Sequence, residues 1–65
     1  MYVIGLQHKD GQIEPLAFTK SKLSKRELRK AVKQFKKDKT VVPIITNWFR
    51  LYKNSEEMFR ELKEY

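Results

Sequence analysis

The sequence predicts a small α+β domain of β-β-α-β-α order, with a mostly antiparallel three-stranded sheet and its helices packed on one face. Three observations predict it. Two short apolar runs flank a Lys9-Asp10-Gly11 turn; a capped pattern of helical apolar spacing opens at Ser24; and a β-branched run, Thr40 to Thr46, precedes a second helix start at Asn54. The chain of 65 residues makes one domain, residues 1–65, near the size where a single core supplies only about 3–5 kcal/mol.

The first two runs, Tyr2 to His8 and Ile13 to Thr19, read as a hairpin. A two-residue Asp10-Gly11 turn would set Val3 beside Phe18 and Ile4 beside Ala17, scattering large apolar groups over both faces. A three-residue loop ending in a left-handed Gly11 pairs Ile4 with Leu16 and Tyr2 with Phe18. That register gathers Tyr2, Ile4, Leu6, Leu16 and Phe18 on one face and is the expected one. Pro15 has no amide hydrogen for a ladder, so its nitrogen is expected at an open edge or at an irregularity.

A helix over about 25–37 follows. Ser24 and Glu27 fit a capping box, and Leu23 and Leu28 take the two staple positions around it. At 100° per residue, Leu28, Ala31, Val32 and Phe35 fill one apolar arc, while Lys25, Arg26, Arg29, Lys30, Lys33, Lys36 and Lys37 fan over about 140° opposite. A third strand is expected over about Ile44 to Tyr52, because β-branched side chains suit a pleated surface. Ile45, Trp48, Phe49 and Tyr52 also match helical spacing, with Pro43 at a first turn, so strand and helix both stay open there. Asn54 with Glu57 caps the last helix, whose Met58, Phe59, Leu62 and Tyr65 form its apolar stripe.

Composition removes most function classes. There is no cysteine and a single histidine, His8, whose expected neighbour is Asp10 in a surface turn. Nucleophilic triads, thiolate metal sites and glycine-rich phosphate loops therefore have no candidate residues, and no enzyme activity, metal or cofactor is expected. No stretch has the length and apolarity of a membrane span or a secretion signal, so a cytoplasmic location with no membrane partner is the expectation.

What remains is charge. Between Lys20 and Lys39, ten of twenty residues are Lys or Arg against Glu27 and Asp38 alone, while the rest of the chain sums to −1. Like charges four apart on a helix repel by a few tenths of a kcal/mol per pair, so such a face implies an acidic partner. A linear ladder of cations matches a linear ladder of phosphates, which points to nucleic acid, DNA or RNA, held by Lys22, Lys25, Arg26, Arg29, Lys30, Lys33, Lys36 and Lys37. Lysine predominates, and lysine is a point charge rather than a bidentate base reader, so weak sequence specificity is expected. Trp48, Tyr52 and Tyr2 are candidates for stacking on bases if exposed. The alternative is a protein-binding regulator, adaptor or inhibitor that docks the same helix on an acidic protein surface, and a homodimer is compatible with either.

Overall fold

The computed structural model describes residues 1–33, 35 and 40–65. It contains β1 (Tyr2–Gln7), β2 (Ile13–Thr19), α1 (Lys25–Val32), β3 (Val42–Asn47), a 3₁₀ turn (Trp48–Arg50) and α2 (Ser55–Glu61). The three strands form one antiparallel sheet in the order β2-β1-β3, so the fold is the α+β domain that the sequence predicts.

The hairpin turn follows from Gly11, whose φ of 91° lies in the left-handed region that glycine tolerates. The Gly11 amide donates to the His8 carbonyl at 2.9 Å and the His8 amide to the Gln12 carbonyl at 2.7 Å, closing the expected three-residue loop. From this turn the predicted register holds for Gln7 opposite Ile13, Leu6 opposite Glu14 and Gly5 opposite Pro15. It then shifts between Ile4 and Gly5, so that Ile4 faces Ala17, Val3 faces Phe18 and Tyr2 faces Thr19. Leu16 is the extra residue of a β-bulge.

That bulge explains why the single apolar face expected from the sequence is not formed. One inserted residue sends Leu16 and Phe18 to opposite sides of the sheet. Leu16 joins Ile4, Leu6, Leu28, Ala31, Val32 and Val41 under α1, whereas Phe18 joins Val3, Tyr52, Met58 and Leu62 under α2. The helices thus cover both faces of the sheet rather than one. β1 is accordingly buried on both sides, with Val3, Ile4 and Leu6 at most 3% exposed. Gly5 permits the close approach at the bulge: a Cβ there would lie 2.7 Å from the Glu14 carbonyl oxygen.

The third strand is shorter and earlier than expected. β1 begins at Tyr2, opposite Asn47, and the Trp48 amide donates to the Met1 carbonyl at 3.3 Å. The chain turns instead. Leu51 and Tyr52 amides both donate to the Trp48 carbonyl at 3.1 Å, and Trp48, Leu51 and Tyr52 fold onto the core beneath α2. Asn54 caps α2 as expected, its Oδ1 accepting from the Glu57 amide at 2.9 Å. Of the predicted stripe, Met58 and Leu62 are buried. Phe59 is 48% exposed and stays edge-on to Phe18 at a ring separation of 5.2 Å, while Tyr65 lies outside the helix and is exposed.

Both outer strands carry a proline, and the ladder shows where each ring nitrogen lies. Successive residues of a middle strand bond alternately to the two neighbours. Met1 bonds toward the β3 side and His8 toward the β2 side, so odd positions of β1 serve β3 and even ones β2. Pro43 stands opposite Leu6 and Pro15 opposite Gly5, each against a residue that bonds the other way. Both nitrogens therefore face the open edges, where no amide donor is missed. Along β2 the segment after α2 adds a short parallel contact: Phe18 donates to the Lys63 carbonyl at 3.1 Å and accepts from the Tyr65 amide at 2.8 Å.

Candidate nucleic-acid interface

α1 is held at its start by local chemistry. Ser24 Oγ accepts from the Glu27 amide and Glu27 Oε1 from the Ser24 amide, both at 3.2 Å, completing the capping box. The Ser24 amide donating to the carboxylate, followed by the Ser24 hydroxyl, holds the Glu27 carboxyl below its usual value of 4.5, with Lys30 adding to the effect. Leu23 packs against the core as the outer half of the staple. Leu28, Ala31 and Val32 then face the sheet, which forces the charged positions outward.

Lys22, Lys25, Arg26, Arg29, Lys30 and Lys33 are all exposed, as the sequence predicts. Lys36 and Lys37 lie outside the described residues. The helix ends at Val32, earlier than the predicted 37. Phe35, expected on the buried arc, is 43% exposed and its amide donates to the Val32 carbonyl at 2.9 Å in a turn. The i,i+4 bonding that would have carried Phe35 over the core has already given way there.

Among the described residues the ion pairs are His8 with Glu14 at 3.0 Å and Lys20 with Glu64 at 4.0 Å. His8 therefore meets Glu14 across the hairpin, not Asp10, whose Oδ1 accepts from the Gln12 amide. Neither pair involves a cation of α1. The acidic residues Glu56, Glu57 and Glu61 sit on α2, across the sheet from the cations. The two helical faces thus carry opposite charge.

The aromatic candidates divide differently. Tyr52 is 7% exposed within the α2-side core, which removes it as a stacking platform. Trp48 is half-buried against the same core, edge-on to Phe49 at 6.1 Å, and Tyr2 is likewise half-buried. Trp48 and Tyr52 thus lie across the sheet from the α1 cations.

A feature that sequence reasoning did not find is a groove between α1 and β3. One hollow of about 260 Å³ is lined by Lys25, Leu28, Arg29, Val42 and Pro43. Another, of about 380 Å³, is lined by Arg29, Val32, Lys33 and Pro43. Arg29 and Pro43 are common to both, so the hollows run along one bank of the helix. The apolar bank comes from the start of β3, where Val42 is 55% exposed. A β-branched residue directly before a strand proline was the available signal.

Among the described residues no group of three or more His, Cys, Asp or Glu gathers in metal-binding proximity, and no helix is long and apolar enough to cross a membrane. No protein-family model, curated protein or solved structure matches the chain.

Proposed function

We propose that this chain is a non-enzymatic nucleic-acid-binding module that grips the phosphate backbone through the exposed face of α1, with little preference for base sequence. One observation carries the reading. Lys25, Arg26, Arg29, Lys30 and Lys33 crowd α1 and its C-cap, none of them in an ion pair among the described residues, and the one acid of that stretch is Glu27, whose charge Lys30 already feels. Repulsion along such a face is unfavourable in the free protein, and phosphates relieve it. The acidic excess of α2 lies across the sheet from α1, so a polyanion approaching α1 meets little opposing charge. Lysine and arginine here act chiefly through charge, which favours backbone contact over reading of base edges.

The test is fluorescence anisotropy with labelled duplex DNA, single-stranded DNA and RNA across a salt titration. Engagement of all five cations predicts a slope of log affinity against log salt of about −3.5 for single strands and about −4.5 for B-form duplex. Arg29→Glu with Lys33→Glu should abolish binding near physiological salt while leaving the circular dichroism spectrum unchanged. Unchanged affinity in that double variant refutes the proposal. Salt-resistant capture of an acidic protein with defined stoichiometry, unaffected by excess DNA, would replace it with the adaptor reading.

A further inference from the structure

We infer that the groove between α1 and β3 seats one single strand of nucleic acid, so that this module prefers single-stranded over duplex ligands. The inference rests on the proposed phosphate binding and specifies which form of the polymer the site admits.

Three observations combine. Lys25, Arg29 and Lys33 recur every four residues along the bank of α1 that borders the hollows. With about 1.5 Å of rise per residue they cover about 12 Å, a row long enough to meet consecutive phosphates of one strand. The opposite bank and floor are apolar: Val42 and Pro43 rise from β3, with Leu28 and Val32 below. Charge on one side and carbon on the other matches a polymer whose phosphates lie on one side and whose sugars and bases lie on the other. A duplex buries its bases and shows phosphates on both flanks, so it can meet the rim of such a groove but cannot use the apolar bank. Finally, hollows of about 260 and 380 Å³ lie just below and just inside the range of about 300–1,000 Å³ for small-ligand pockets. That is room for one chain.

A peptide strand fits the same place less well. β3 offers no outward amide at Pro43, the residue shared by both hollows, so a strand added there would lack a donor where the groove is deepest in apolar lining. The arrangement favours a ligand that needs charge and carbon contact but no β-ladder.

The experiment compares a labelled 12-nucleotide single strand with the 12-base-pair duplex of the same sequence, using wild type, Val42→Asp and Phe49→Asp. The last two make the same change in charge at exposed positions, one in the groove and one in the 3₁₀ turn that follows β3. The single strand should bind about tenfold tighter than the duplex, and Val42→Asp should lower its affinity about tenfold while Phe49→Asp changes it less than about threefold. Equal or tighter duplex binding overturns the groove, as does an equal effect of the two aspartates. Polyglutamate competing as well as the single strand would also overturn it, since the site would then be reading charge alone. If duplex and single strand bind equally and Arg29→Glu with Lys33→Glu still abolishes binding, the groove fails while the phosphate reading stands; if neither nucleic acid binds, both fall.

Discussion

Tyr52→Phe is expected to stabilise the protein, against the usual direction for a change in a core. The Tyr52 side chain is 93% removed from solvent by Val3, Phe18, Met58 and Leu62 and their neighbours, and its hydroxyl has no hydrogen-bond partner among the described residues. A buried hydroxyl without a partner costs about 1–3 kcal/mol, and removing it costs little packing because the ring stays. A gain of about 1 kcal/mol would raise the melting temperature of a domain this size by about 4–8 °C. The same burial pushes the phenol up to about 12 from an ordinary 10, with Glu61, close to the hydroxyl but outside hydrogen-bonding geometry, and then the charge of Glu57 adding to the shift. The folded state thus holds the proton more tightly than the unfolded chain. This contribution is complete below pH 10 and is lost as pH rises from 10 to 12, amounting to about 2–3 kcal/mol for two units. Urea denaturation at pH 8, 10 and 11 should show wild type losing stability faster than Tyr52→Phe over the last interval. A phenylalanine variant that is less stable at pH 8 would refute the reasoning, and would mean that the hydroxyl donates to Glu61 in solution.

Other expectations follow from the same geometry. Gly5→Ala places a methyl carbon 2.7 Å from the Glu14 carbonyl oxygen, so the bulge must shift; a loss of about 1–3 kcal/mol in chemical denaturation is expected, and none would mean that the strands separate there freely. Ser24→Ala removes the cap of α1 and should cost about 1 kcal/mol with reduced helical circular dichroism. Because the Glu27 carboxyl is held below 4.5, its share of stability is present above that pH and fades as pH falls through the lower folded value; Ser24→Ala should flatten that part of the acid profile. Screening of the α1 cations should raise the melting temperature between 10 mM and about 150 mM salt. A flat response would mean that their mutual repulsion is negligible.

Local chemistry made part of this molecule readable. Gly11 and Asp10 specify their turn within a few residues, and Ser24 with Glu27 specifies a helix start, because each device is satisfied by atoms close in sequence. The bulge was not readable in this way. Whether Leu16 joins Phe18 or parts from it depends on helices arriving from both sides of the sheet, and nothing between Ile13 and Thr19 states that. Phe35 illustrates the same limit: it continues the apolar arc of α1 on paper, yet the helix ends three residues before it. The cations themselves were legible as a face, since helical spacing alone separates them from Leu28, Ala31 and Val32. Their groove was not, because its second bank comes from Val42 and Pro43, which only the paired sheet brings beside α1.

The two edge prolines have a consequence for crowding. A polymer that gathers cationic proteins raises their effective concentration to about the millimolar range, a condition under which exposed strand edges join and grow. In this fold an incoming strand finds no donor at Pro15 or Pro43, and at Phe18 it finds the hydrogen bonds already taken by Lys63 and Tyr65. On β3, the alternation of the ladder leaves Ile45 and Asn47 as the outward donors after Pro43, too few for a lasting template. If copies gather along the proposed polyanion, their sheets would meet edges already blocked at Pro15, Phe18 and Pro43.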